Sequence, residues 1–486
     1  MSKQKMQAAT ARAHARAARA RRDKDKKAKA VTLPVIRPDT AGIDIGATEI
    51  FVAVSPERDG EPVRSFGSFT SDLNAIGAWL QSLEIRSVAM ESTGVYWIPL
   101  YQILFDRGIE VCLVNARHFQ NVPGKKTDVL DCQWLQYLHS VGLLRSSFRP
   151  EQVICAARTL LRHRENLIQM AAEHVLHMQK SMEQMNLKLQ HVISDITGVT
   201  GMRIINAILE GERDAHRLAV LRDGRIRASE ETVRKSLEGD YRSEHLITLE
   251  QSMEAYRFYQ KQMAQLDEKL EAFMQALPAK IDLAAYPLPA ATKPLRRQHN
   301  APDYDLRKYC YQAFGVDLTT IPGIAAPTAQ VLLTEVGPDL SKFSSASRFA
   351  SWLTLCPHND VSGGKILKAK TRKGKNRAAV ALRLAAQTLE HNEGHIGQFF
   401  RRMRAKLGPA EAITATAHKL ARIFYAMVTT GKPYQESTFA KADEKHRTRQ
   451  ESRLRQQARA LGFQLVPEAD ATIQTGAPAV PAQRVH

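Results

Sequence analysis

Between residues 41 and 114 the apolar positions fall in short blocks parted by polar turns. Ala41-Gly42-Ile43-Asp44-Ile45-Gly46 runs on into Ile50-Phe51-Val52-Ala53-Val54, which predicts one or two strands over 41–54, and Val63 to Phe69 predicts another. Over 71–83 the spacing changes. Leu73, Ile76, Leu80 and Leu83 share one helical face, with Ser71 or Asp72 as the expected cap. A strand over 85–91, a helix from about Val95 to Arg107, a strand from Ile109 to Val114 and a helix starting near Thr127, capped by its hydroxyl, complete the series. Strands come first as hairpins and then alternate with helices, so the expected fold is a mixed α/β sheet covered on both faces.

The pattern then lengthens. Ile154, Leu161, Ile168, Val175, Met182, Leu189 and Ile196 repeat every seven residues, and Arg164 interrupts the companion seam of Ala157, Ala171, Met178, Met185 and Val192. Six heptads predict a coiled coil. Leu249, Tyr256, Met263, Leu270 and Leu277 repeat the spacing, as a second coiled-coil helix or part of an ordinary bundle. Short helices and turns are expected over 211–243, a Pro/Lys/Arg-rich linker over 280–310, a mainly helical module from Asp317 to Gly431, and a charged helix over 436–460. The expected divisions are a basic disordered arm (1–37), an α/β domain (38–150), a coiled-coil domain with linker (151–316), a helical domain (317–435), and a charged helix with a disordered tail (436–486).

Charge narrows the function. The chain of 486 residues has a formal net charge of +19, and residues 1–37 hold twelve Lys and Arg against two Asp. Such an arm suits a polyanion, and a basic chain of this kind most often meets nucleic acid. The five cysteines are scattered without paired spacing, which argues against a disulfide framework or a zinc site and for a reducing compartment. No apolar run approaches the ~20 residues needed to span a bilayer. The expected location is a reducing cytoplasm.

The candidate chemistry is acidic. Asp44 lies inside a predicted buried strand, where a carboxylate costs several kcal/mol unless it is neutralised. Glu91 ends a second strand, while Asp128 and Asp131 share a helix face and follow Lys125 and Lys126. Like charges gathered this way call for a divalent cation, and oxygen-only ligands favour Mg²⁺ or Mn²⁺. Two such ions can clamp the attacking and leaving oxygens of a phosphodiester. Gly42 to Thr48 also resembles the first phosphate loop of sugar kinases and actin-like ATPases, but the second Asp-Gly loop those proteins need does not appear.

Ala41 to Gly46, Met90-Glu91-Ser92-Thr93-Gly94-Val95-Tyr96-Trp97, Val114-Asn115-Ala116-Arg117 and Lys126-Thr127-Asp128-Val129-Leu130-Asp131 resemble the DEDD transposases of insertion sequences. These are the Piv/MooV-type recombinases, now known as bridge-RNA-guided recombinases. The resemblance covers 41–150 and resumes at 317–431. It implies a RuvC-like domain of the ribonuclease H fold, metal held by Asp44, Glu91, Asp128 and Asp131, and a separate transposase domain that supplies a serine. By the resemblance that serine is expected to be Ser362, in Val361-Ser362-Gly363-Gly364-Lys365. Without the resemblance, Ser-Gly-Gly is a turn. Lys365, Lys368, Lys370, Arg372, Lys373, Lys375 and Arg377 follow it and are expected, with Lys125 and Lys126, to hold nucleic acid. The resemblance further implies a phosphoserine intermediate, donor and target DNA as partners, a structured guide RNA, and a homodimer that assembles into a tetramer. The competing reading is a RuvC-like endonuclease that hydrolyses branched DNA and leaves Ser362 idle. Leu318 to Ala325 resembles the entry to a helix-hairpin-helix, as a phosphate grip or a packing turn.

Overall fold

The computed structural model describes residues 33–92, 94–115, 128–291, 300–372, 374 and 376–465, without the side chains of residues 128, 129, 360, 368, 440–443, 445 and 446. They form two units, one ending at Arg149 and one beginning at Pro150.

The first unit is built on a five-stranded mixed sheet of order β3-β2-β1-β4-β5. The strands are β1 (Thr40–Ile45), β2 (Glu49–Val54), β3 (Val63–Gly67), β4 (Ser87–Glu91) and β5 (Glu110–Val114). β1, β2 and β3 form an antiparallel meander, while β4 runs parallel to β1 and β5 parallel to β4. The helices are α1 (Thr70–Ser82), α2 (Trp97–Asp106) and α3 (Asp128–Ser140). Period-two alternation sorts the side chains. Ile43, Val52, Val88, Met90 and Leu113 share a core with Leu73, Ile76 and Leu80 of α1 and Leu100 and Leu104 of α2. The opposite face is smaller, with Ala89, Cys112 and Val114 packed on Leu135 of α3. This mixed sheet with helices on both faces is consistent with a ribonuclease H-like domain.

α1 begins one residue before the expected cap. Its N-cap is Phe69, and Asp72 sits three residues in, where its carboxylate accepts a hydrogen bond from the Phe69 N–H at 3.0 Å. An acid at this position both caps the open amide and complements the helix dipole. Thr127, the expected cap of α3, lies outside the described residues.

In the second unit two 33-residue helices, α4 (Gln152–Gln184) and, after four short ones, α9 (Ser243–Gln275), pack on each other. The short helices are α5 (Leu189–Val192), α6 (Val199–Leu209), α7 (Ala215–Val220) and α8 (Glu230–Ser236). Arg164 meets Asp267 and Ser181 meets Thr248, so the pair is antiparallel within one chain. The seven-residue repeat outruns the helix. α4 stops at Gln184, Asn186 is left-handed (φ 59°), and the Leu187 N–H closes back on the Met182 carbonyl at 2.8 Å. Leu189 and Ile196 keep the spacing but are buried in the small helical cluster beyond.

The C-terminal module starts earlier than expected, with α10 (Leu306–Phe314) inside the predicted linker. Arg307 is buried there and paired with Asp317. Then follow α11 (Ala326–Val336), α12 (Ala346–Trp352), the hairpin β6 (Pro357–Ser362) and β7 (Lys365–Thr371), α13 (Arg377–Gln387), α14 (His395–Leu407), α15 (Pro409–Thr430) and the charged α16 (Ala440–Ala460). Phe314, Phe349 and Phe424 meet at its centre, with ring centroids 5.6 and 5.7 Å apart. α4 is clamped to this module: Arg158 donates to the carbonyls of Thr334 and Glu335, and Arg162 grips the Glu335 carboxylate at 2.8 and 2.7 Å. The turn before α11 is a packing turn. Gly323 has φ +86°, and a Cβ there would stand 2.7 Å from the Ala385 carbonyl of α13. Among the described residues no helix is long and apolar enough to cross a membrane.

Candidate active site

Sheet register brings the first two acids together. The β1–β4 ladder ends where Ile43 pairs with Met90, and Asp44 and Glu91 are the residues that follow on these two strands, about 4.8 Å apart where they pair. Neighbours in parallel register project to the same face. Both sit at the carboxyl ends of parallel strands, where open α/β sheets bind their ligands.

That face is the one α3 covers. A Cβ on Gly42 would come within 2.2 Å of the Cys132 carbonyl and 2.3 Å of the Gln136 nitrogen, so β1 and α3 touch backbone to backbone. Asp44, two residues on, points the same way. The buried stripe of α3 contains Cys132, Leu135, Leu138 and His139. By helical spacing Asp131 lies at the N-terminal end of this stripe, and both it and Asp44 bear on the Cys132 thiol.

The electrostatics agree. The Cys132 thiol is pushed up to about 12, first by burial and then by the charge of Asp44, with Asp131 adding to it. The neighbourhood therefore carries a negative potential, and its donors are oxygens. Both fit a hard divalent cation. Among the described residues no three acidic, thiol or imidazole side chains gather closely enough to hold an ion. The Asp128 side chain, like the whole of Lys125 and Lys126, lies outside the described residues.

Ser362 is exposed at the tip of the β6–β7 hairpin. Gly363 (φ 54°) and Gly364 (φ 75°) are both left-handed, as a type I′ turn requires, and Ser362 pairs across it with Lys365. One extra residue in β7, Leu367, forms a bulge, because Val361 pairs with Ile366 but Asp360 with Lys368. The bulge keeps Ser362, Lys365, His358 and Lys370 on one face of the ribbon, while Val361 and Ile366 lie on the other. Lys365, Lys370 and Arg372 are exposed. Lys368 is described only through its backbone, and Lys373 and Lys375 lie outside the described residues. Arg377 is engaged elsewhere: it opens α13 and forms an ion pair with Glu165 of α4.

The sequence reading missed Gly42 as the residue that lets α3 approach. A glycine inside a strand pattern is the signal that could have found it. It also missed the strands flanking Ser-Gly-Gly, whose alternation is broken by the bulge.

Comparison with known proteins gives two family matches. Residues 41–187 match the DEDD model of the IS110 transposases, described as "Transposase", and residues 317–401 match the model described as "Transposase IS116/IS110/IS902 family". A curated relative from Sinorhizobium fredii, "Putative transposase y4pF/y4sB", is 31% identical over 130 residues. That alignment takes in 25% of this chain and 32% of the relative, so it spans about a third of the relative's length. Two stretches of the chain thus match IS110-family transposase domain models, an N-terminal one that contains Asp44, Glu91, Asp128 and Asp131 and a C-terminal one that contains Ser362.

Proposed function

We propose that this chain is a DNA transposase, a site-specific recombinase that cuts and rejoins phosphodiesters through Ser362. The observation that supports this is the parallel β1–β4 ladder, in which Ile43 pairs with Met90 immediately before Asp44 and Glu91, on a sheet whose β1 is approached by the α3 backbone at Gly42. With Asp128 and Asp131 they would hold Mg²⁺ or Mn²⁺, which when bound supplies Lewis-acid stabilisation of the charge that develops on the phosphate. The chain's own residues do the rest. Lys365, Lys370 and Arg372 hold the DNA backbone beside the hairpin, and the two glycines let it approach. Ser362 Oγ forms the bond to phosphorus and gives up its proton, and the phosphorus–oxygen bond to the departing strand breaks, leaving a free hydroxyl. Attack by a hydroxyl of another DNA end reverses the step and frees the serine. The bond energy stays in the ester, so the exchange needs no nucleotide cofactor.

The family resemblance adds donor and target DNA as substrates, guidance by a structured RNA, a tetramer assembled from dimers, and action at the nucleoid. Sequencing the RNA that copurifies with the protein tests the guide. Trapping on a nicked duplex tests the chemistry. A covalent protein–DNA adduct is expected from the wild type with Mg²⁺, none from Ser362→Ala, and neither adduct nor cleavage from Asp44→Asn or Asp128→Asn. Cleavage by Ser362→Ala at the wild-type rate, without adduct, would instead identify a hydrolytic endonuclease of the RuvC-like kind.

A further inference from the structure

The helix α16 differs from the other long helices of the second unit. Its root is fixed: Phe439 stacks on the buried His395 ring at 4.4 Å, and Glu436 accepts from the His395 amide. Beyond that root, among the described residues, no element other than the 3-10 turn Glu436–Phe439 packs on it to more than a marginal extent. From Arg447 to Ala460 every residue but Glu451 and Ala458 is exposed. Most helices in proteins draw their stability from packing of one face, and this 21-residue helix presents its faces to solvent instead.

The spacing of its side chains is not random. At 100° per residue Arg449, Ser452, Arg453, Arg455, Gln456 and Arg459 occupy one face, all hydrogen-bond donors, and no acid stands among them. The only acid in this stretch, Glu451, lies on the opposite side and is paired with Arg447 at 3.2 Å. That side also carries Leu454, Ala458 and Leu461, too narrow a strip for a membrane surface. It makes no coiled-coil seam either, because Leu454 and Leu461 are preceded seven residues earlier by Arg447.

We infer that the arginine face of α16 is a second DNA-binding surface, which enters the major groove of a B-form duplex and grips its phosphates. A helix about 10–12 Å across fits a groove about 12 Å wide, whereas the deep, narrow major groove of duplex RNA does not admit it. The inference rests on the reading of the chain as a DNA-acting enzyme and names a surface away from the hairpin that bears Ser362.

The test is titration of full-length protein into a short labelled DNA duplex by fluorescence anisotropy over a range of salt. Replacement of Arg449, Arg453, Arg455 and Arg459 by Gln is expected to weaken binding at least about tenfold, and to flatten the slope of log affinity against log salt by about three to four. The same four positions changed to Lys keep the charge, and the slope is expected to stay near that of the wild type. Wild-type affinity and slope in the Gln variant would overturn the inference, as would an equal loss in the Lys variant or a greater loss for duplex RNA than for DNA. Adduct formation at saturating DNA separates the two readings. A Gln variant that still forms the Ser362 adduct leaves the proposed function standing whatever the binding result, and a wild-type chain that binds no duplex defeats both.

Discussion

At the residue scale the site depends on something that is not there, a side chain at position 42. The backbone of α3 occupies the space a Cβ would need, so Gly42→Ala has to push the helix off the sheet and with it Asp131 and Asp128. Overpacking of this kind costs about 1–3 kcal/mol. Denaturant unfolding is expected to show that loss, and cleavage to fall further than stability does. Gly60→Ala is the control, because nothing lies within 4 Å of its Cβ position, and it is expected to change stability by less than about 0.5 kcal/mol. His139, at the other end of α3, makes a pH prediction. Its ring lies 2.8 Å from Ser87 Oγ, and burial, helped by the charge of Arg37, lowers its pKa from 6.5. The unfolded chain therefore binds a proton that the folded one rejects. The contribution to stability is complete above the unfolded value and is lost as pH falls through 6.5 towards the lowered folded value. Unfolding curves taken from pH 8 down to 5, roughly the window of histidine titration, are expected to show this decline in the wild type and a flatter profile in His139→Gln.

At the element scale the antiparallel pair α4–α9 is pinned by a bidentate contact between the buried Arg164 and the partly buried Asp267, with Arg164 also donating to the Asn300 carbonyl at 2.9 Å. Removal of one partner strands a charge in a low-dielectric place. Asp267→Ala is expected to cost about 3–5 kcal/mol, and Arg164→Leu with Asp267→Leu to recover much of it, as read from urea midpoints. Equal losses in the single and double variants would show that the contact does not set the pairing. The same helices mark how far a sequence can be followed. Arg164 was legible as a break in the seam, but not as an ion pair, because its partner is on another element. The end of α4 was not legible at all. Leu189 and Ile196 hold the seven-residue spacing for a different reason, burial in the cluster beyond, and periodicity cannot tell a continuing helix from a coincidence of burial. In the first unit the strands were legible because period two survives wherever one face is buried, as in Ile43, Val52 and Met90. That Asp44 and Glu91 stand together required the strand order, which no local pattern contains. The hairpin around Ser362 was half legible: two glycines announce the turn, but the bulge at Leu367 shifts the alternation that would have announced its strands.

At the scale of the whole molecule, the acids and the serine belong to different units of one chain, separated in sequence by two 33-residue helices. A nucleophile held so far along the chain from its metal ligands can be presented within a subunit or to a partner, and the two arrangements differ in what inactive variants do when mixed. Asp44→Asn keeps a working serine and Ser362→Ala keeps working carboxylates. If one subunit supplies both groups to each phosphate, every subunit of a mixed assembly lacks one of them and no adduct forms. If serine and carboxylates come from different subunits, as the family resemblance implies, some sites in the mixture regain both. Coexpression of the two variants followed by trapping on a nicked duplex is therefore expected to restore adduct, carried by the Asp44→Asn chain alone, because only that chain retains the hydroxyl. Adduct on neither chain would place both groups within one subunit, and adduct on the Ser362→Ala chain would remove Ser362 from the mechanism.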